Sequence, residues 1–253
     1  MKCAFPLIAI AALLASVNTA AAQTSLTPAS EPDWTFSANL GVVSEYRFRG
    51  LMQTNGKPAV QGGFDISHRS GFYLGNWNSS ISWLSDADPD VSSNVEMDFY
   101  AGYKHTIAEG FTFDVGALHY YYPGSYPAGF NDPDTTEAYV GLGYGPLSFK
   151  YSHALTDLFG APDSKNSQYY DLGMAVPTGF WDVDLKAHVG YQKVRNMDDG
   201  SYTDWSVGLS RQFDRFAVSL TYYDTNADRN LYTNTRGKYT GKAAAVLGLS
   251  ASF

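Results

Sequence analysis

Apolar and polar residues alternate one for one in segment after segment of this 253-residue chain. In the first segment Phe36, Ala38, Leu40, Val42, Ser44, Tyr46 and Phe48 form one series. Ser37, Asn39, Gly41, Val43, Glu45, Arg47 and Arg49 form the other. Successive side chains of a strand point to opposite faces, so period two dictates strands with one apolar and one polar face. The pattern predicts twelve strands, over 36–49, 58–67, 71–84, 94–105, 111–122, 135–145, 147–154, 168–176, 181–193, 203–212, 216–225 and 242–253. Most are near the ~9–11 residues a tilted strand needs to cross a bilayer.

The connections between these segments alternate in length. Long stretches at 50–57, 85–93, 123–134, 155–167, 194–202 and 225–241 take turns with short ones at 68–71, 106–110, 145–146, 177–180 and 213–215. Barrels of the bacterial outer membrane have this asymmetry, with short periplasmic turns, longer outer loops and an even strand number. The fold expected is all-β: a transmembrane antiparallel up-and-down β-barrel of about twelve strands, occupying 36–253. The chain has 19 Tyr, 15 Phe, 5 Trp and 24 Gly, yet its mean hydropathy is slightly polar. That combination suits short alternating strands joined by turns.

Residues 1–22 read as a secretory signal peptide. Lys2 precedes an apolar run from Phe5 to Val17, and Ala20-Ala21-Ala22 supplies small residues for a cut before Gln23. The run is too short to span a bilayer as a helix. Residues 23–35 form a lead-in. The only cysteine, Cys3, leaves with the signal, and it lies too early to be a lipid-anchoring position. With 25 acidic against 17 basic residues, the chain is a poor nucleic-acid binder. Expected partners are outer-membrane lipid and lipopolysaccharide, the barrel-assembly machinery and small solutes, in the bacterial outer membrane.

If the first strand rises outward, aromatic residues on the apolar faces fall into two bands. Tyr46, Phe48, Trp83, Tyr121, Tyr191, Trp205 and Tyr222 form the outer one. Phe36, Tyr103, Phe111, Phe113, Tyr144, Phe149, Phe216 and Phe253 form the periplasmic one. Amphipathic rings favour headgroup depth, which produces such girdles. The last segment ends Leu247-Gly248-Leu249-Ser250-Ala251-Ser252-Phe253. Gly248, Ala251 and the terminal Phe253 sit where an assembly signal for barrel insertion places glycine, a hydrophobic residue and an aromatic one. Val246 departs from the usual polar position of that pattern.

The stretch Phe36-Ser37-Ala38-Asn39-Leu40-Gly41-Val42-Val43-Ser44-Glu45-Tyr46-Arg47-Phe48-Arg49-Gly50, with Gln53-Thr54 and Pro58-Ala59-Val60-Gln61-Gly62-Gly63-Phe64-Asp65, resembles the TorF family of porin-like proteins. Gly71-Phe72-Tyr73-Leu74-Gly75-Asn76-Trp77 and Glu96-Met97-Asp98-Phe99-Tyr100-Ala101-Gly102-Tyr103 extend the resemblance. It is strongest over 36–122. It implies a location in the outer membrane and brings no catalytic residues.

The polar faces carry charge. Candidate lumen-lining residues are Glu45, Arg47, Arg49, Asp65, Glu96, Asp98, Lys104, Asp114, Glu137, Lys150, Asp184 and Lys186, joined by Asp171 and Asp204. A charge facing lipid costs about 2–4 kcal/mol at mid-depth, so these groups belong inside. Rings of such charges tune ion selectivity. Alternatively they pair across the lumen and fill it. Glu45, Arg47 and Arg49, near the outer end of one strand, are the best candidates for a constriction. Asp86-Ala87-Asp88-Pro89-Asp90 begins like a calcium loop but has Met97 where the bidentate glutamate belongs, so it reads as a solvated acidic loop. His105, His119 and His153 fall on outward faces, and no histidine pair has zinc spacing. No metal, cofactor or catalytic residue is expected.

The leading functional expectation is a passive channel for ions or small hydrophilic solutes, with conductance or selectivity sensitive to Arg49→Ala and Glu45→Ala. A closed structural or adhesive barrel acting through its outer loops is the alternative. A membrane-embedded hydrolase is the third reading.

Overall fold

The computed structural model describes residues 32–253. The signal peptide expected over 1–22 lies outside the described residues, as does most of the lead-in. Twelve antiparallel strands close a barrel. They are β1 (Trp34–Val43), β4 (Ala59–His68), β5 (Phe72–Ser80), β6 (Val95–Ala108), β7 (Phe111–Tyr121), β8 (Thr135–Tyr144), β9 (Leu147–Ala154), β10 (Gln168–Pro177), β11 (Val183–Lys193), β12 (Tyr202–Phe213), β13 (Phe216–Thr225) and β14 (Ala244–Ser252). Each pairs with its neighbours in sequence, and β1 closes the ring on β14. Two short strands, β2 (Arg47–Phe48) and β3 (Leu51–Met52), pair only with each other. One short helix, α1 (Trp83–Ala87), stands in the loop after β5.

The burial pattern is that of a protein turned inside out. Along β1, residues 36, 38, 40 and 42 are exposed while 37, 39, 41 and 43 are partly covered. The exposed positions around the barrel are Phe, Leu, Val, Tyr and Trp, with Phe36 71% exposed and Leu172 50% exposed. An apolar surface of this extent is stable only against hydrocarbon. A closed barrel leaves no sheet edge, so its backbone polar groups are satisfied within that solvent.

The turns at the end bearing Trp34 and Phe253 are short because their residues accept tight geometry. Glu109-Gly110 joins β6 to β7, with Gly110 at φ 75°, and Asp214-Arg215 joins β12 to β13, with Asp214 at φ 54°. Both carry a positive φ, as tight strand turns require. The opposite end carries the long loops.

Strand positions follow the alternation closely, with two departures. The first strand ends at Val43, not Arg49. Arg49 (φ 46°) and Gly50 (φ 77°) turn the chain back on itself, and β2 and β3 flank that turn. Past Ser44, which still bonds to Leu247 on β14, the loop 44–58 therefore leaves the wall and folds inward. Tyr46 and Phe48 are not part of an outer girdle: Tyr46 is buried, and its ring meets Trp77 at 5.5 Å. The third strand stops at Ser80, and Trp83 sits in α1 with its ring against Tyr122 at 5.4 Å. These three aromatics have an apolar cluster inside the barrel to join, which removes more apolar area from water than a place at the rim would. The remaining outer aromatics, Tyr121, Tyr191, Trp205 and Tyr222, are exposed on the outside as expected.

Candidate functional site

The inward loop 44–58 organises the lumen. Its origin is β1, and β9 lies six strands away in either direction around the ring. Arg49 reaches the strands on either side of β9. Its Nη2 donates to both carboxylate oxygens of Glu137 on β8, at 2.7 and 3.0 Å, and its Nη1 donates to Gln192 Oε1 on β11 at 2.7 Å. Its guanidinium also lies over the Tyr169 ring on β10, 4.2 Å from the centroid. The loop thus crosses the full width of the barrel. Burial opposes the Arg49 charge, but the adjacent Glu137 carboxylate outweighs it and holds the guanidinium protonated.

Gly50 has no side chain because there is no room for one: a Cβ there would stand 2.6 Å from Asp204 Cβ. The backbone therefore packs flush on β12. Tyr46 donates its hydroxyl to Glu96 Oε1 at 2.7 Å, and Tyr122 donates to Oε2 at 2.9 Å. Around these bonds Ala59, Ile81, Leu84, Val91 and Tyr120 form a buried apolar cluster, with Phe48 and Phe159 packed on it. From outside, the loop 226–243 braces the construction. Lys238 Nζ donates to the Asn55 carbonyl at 2.6 Å, Arg47 Nη1 donates to the Thr240 carbonyl at 3.1 Å, and Arg236 pairs with Asp86 at 2.9 Å. The expectation of a solvated acidic stretch fails at Asp86, which is 2% exposed and also accepts from Ser82. Asp88 and Asp90 remain at the surface.

Glu45, Arg47 and Arg49 are therefore inside the barrel, but as parts of a folded-in loop rather than of a strand. Glu45 and Arg47 form an ion pair with each other. The wall contributes four buried carboxylates at this level: Glu96, Asp98, Glu137 and Asp204. Three have protein partners. Glu96 has its tyrosines and Glu137 has Arg49. Asp204 accepts from Tyr169 at 3.1 Å and faces His188 Nε2 at 3.2 Å.

A second tier lies toward the short-turn end. Tyr73 donates to Asp114 at 2.6 Å, Tyr100 donates to Asp65 at 2.6 Å, and the Tyr73 and Tyr139 hydroxyls meet. Lys150 Nζ stands 4.2 Å above the Tyr139 ring. Lys104 lies directly across the ladder from Asp114. Each tyrosine folds over a glycine of the next strand, Tyr73 over Gly102, Tyr100 over Gly75 and Tyr139 over Gly116. A methyl group at any of the three would overlap the ring. Asp171 holds His188 Nδ1 at 3.0 Å. Asp184 and Lys186 alternate inward on β11 without joining this network.

The opposite wall is different. β12 to β14 and β1 turn in short groups, among them Ser206, Gly208, Ser219, Gly248, Ser250 and Gly41. The lumen tyrosines were missed by a reading that looked inward only for charge. The signal was present, since Tyr100, Tyr120, Tyr139 and Tyr169 share strand parity with the inward acids of β6, β7, β8 and β10.

Residues 27–253 match a family described as "Bacterial protein of unknown function (Gcw_chp)". The chain belongs to that family. The porin-like barrel suggested by the TorF resemblance stands for this Gcw_chp member, while the TorF name itself is not the one the match carries. No curated protein matches the sequence. Among solved structures, "KdgM porin" is similar at a TM-score of 0.54 with 11% identity, over 86% of this chain and 99% of that one. "KdgM porin in complex with disordered oligogalacturonate" is similar at 0.53 with 11% identity, over the same shares. At that identity the likeness is one of fold: the closed twelve-strand barrel of this Gcw_chp chain is similar in fold to those porins.

Proposed function

We propose that this protein is an outer-membrane channel for the passive diffusion of ions or small hydrophilic solutes, narrowed by loop 44–58. The observation that carries the reading is the division of the lumen below the loop. A wall of short polar residues faces a wall of charged and hydroxyl groups, and a hydrated path between them costs nothing in desolvated charge. Twelve strands lie between the filled interior of eight and the aqueous channel of sixteen. The long loops face the outside and the short turns the periplasm, with lipid and lipopolysaccharide around the apolar belt. Gly248, Ala251 and Phe253 serve the barrel-assembly machinery as an insertion signal.

Planar-bilayer recording of refolded protein tests the proposal. Discrete conductance steps are the expected result. An insulating record from protein that migrates as a folded, heat-modifiable barrel overturns it. One observation favours a second reading, a barrel closed at rest. The apolar cluster around Leu84 and Tyr120 fills part of the outer lumen, and such packing excludes water. Under that reading conductance appears only when loop 44–58 is freed.

A further inference from the structure

Arg211 is a full charge on the apolar side of the wall. The outward series on β12 is Val207, Leu209, Arg211 and Phe213. In the ladders Arg211 stands between Val183 of β11 and Val218 of β13. Among the described residues, no other outward strand position in the short-turn half carries Lys, Arg, Asp or Glu. Its guanidinium lies over the Phe213 ring, 4.7 Å from the centroid, and its Nε is buried without a hydrogen-bond partner. The residue as a whole is only partly covered, so Nη1 and Nη2 are the nitrogens open to the surroundings. Among the described residues no carboxylate pairs with them. Asp214 in its own turn and Asp182 in the next are exposed and form no ion pair with it, and Asp184 alternates inward.

Depth says what can meet this charge. Arg211 lies two residues before the end of β12, about 5 Å inside it for a tilted strand. Phe180 and Trp181, in the turn beside it, are exposed rings of the kind that sit at headgroup level. An arginine cannot shed its proton, and its long stem brings the head to the interface. The acceptors at that level are lipid phosphates, and the guanidinium fork matches two phosphate oxygens at once. We propose that Arg211 holds the phosphate of an anionic phospholipid of the periplasmic leaflet, with Val183 and Val218 against its acyl chains. A phosphate with no ammonium of its own leaves the arginine without a competitor. The proposal uses the orientation that sets the short turns toward the periplasm, and it stands whether or not the lumen conducts.

The test is native mass spectrometry of the refolded protein in detergent, titrated with phosphatidylglycerol and, separately, with phosphatidylcholine. The native protein is expected to retain one phosphatidylglycerol about fivefold more strongly than phosphatidylcholine, the factor for one basic side chain beside an anionic headgroup. Arg211→Gln should bring that ratio near one, and Arg211→Lys, which keeps the charge, should retain part of it. Equal retention of the two lipids by the native protein overturns the proposal, and that comparison needs no variant. An unchanged ratio in folded, heat-modifiable Arg211→Gln protein also overturns it. Displacement of phosphatidylglycerol by excess inorganic phosphate would mark a site for free anions and overturn the lipid assignment. Conductance plays no part in these readings, so failure of the channel proposal and failure of this one are told apart.

Discussion

Arg49 shows how one side chain can close a long-range structure. Its guanidinium is held by Glu137 and Gln192 and stacked on Tyr169. Removing one member of a buried ion pair leaves the other charged and unpaired, which costs about 3–5 kcal/mol. Glu137→Ala is therefore expected to lower the urea midpoint of the folded barrel more than Glu45→Ala. Glu45 pairs only with its neighbour Arg47, and that pair is local to the loop. Equal midpoints for the two variants would remove the latch from the account. A second residue-scale prediction concerns the tyrosine tier. Gly102→Ala places a methyl group within the Tyr73 ring, and overpacking of this kind costs about 1–3 kcal/mol. Replacing Tyr73 by Phe in the same chain removes the hydroxyl contact but leaves the ring carbon Cζ and the Val115 carbonyl in the way, so it relieves the overlap only in part, and it loses the bond to Asp114 besides. Unfolding curves of the single and double variants check both statements.

At the scale of elements, loop 44–58 is the part most open to experiment. Replacing it by a short glycine–serine turn between β1 and β4 removes the Arg49 latch, Tyr46 and the Gly50 contact together. Apart from Ser44, which bonds to Leu247 on β14 and is best kept, the barrel pairing does not use these residues. The shortened protein is expected to fold and to conduct several times more than the native one, measured as single-channel conductance. A folded barrel with unchanged conductance would place the narrowing elsewhere. The strands themselves were legible in the sequence because alternation is a local property, and burial on one face enforces it residue by residue. The loop was not. Ser44 to Arg49 continue the alternation of β1 without a break, yet the strand ends at a bend over Ser44-Glu45 and the chain turns back at Arg49-Gly50. Its partners Glu137, Gln192 and Asp204 lie far along the chain. Period two could assign Arg49 to the interior. It could not say that Arg49 arrives there from a loop crossing to the far wall, because that depends on which strands end up opposite one another. Tyr46 and Phe48 were misplaced for the same reason. An aromatic residue at the end of a strand is as much at home in an internal cluster as at headgroup depth.

For the whole molecule, the exchange of inside and outside sets the rules for substitution. Leu172, in the middle of β10, lies on the exposed apolar outer face, and in a bilayer Leu172→Arg is expected to cost about 2–4 kcal/mol. Ser219, on the short-residue wall of β13, faces the lumen, and Ser219→Arg should leave stability nearly unchanged while altering ion selectivity. Unfolding in lipid vesicles measures the first, and reversal potential the second. If both arginines are tolerated equally, the apolar belt is not a lipid boundary. The first and last strands of the barrel join in the same wall, where the Phe253 amide and carbonyl bond to Ala38. Deleting Phe253 removes those two bonds along with the terminal ring. The expected outcome is less folded barrel in the outer membrane and little change in refolding into detergent.

The crossing loop has a mechanical meaning as well. An empty cylinder of sheet flattens readily when squeezed from the side, because bending at a few ladders lets opposite walls approach. A strut fixed near one wall at β1 and bonded beside the opposite strand, β9, resists both flattening and spreading along that diameter. Loop 44–58 is such a strut, with Arg49 as its far fastening. The same loop is also tied at right angles to that line, by Tyr46 to Glu96 on β6 and by Gly50 against Asp204 on β12. The barrel should therefore be stiff along both diameters at the level of the loop, and lateral pressure from the surrounding membrane would change the shape of the lumen only toward the short-turn end.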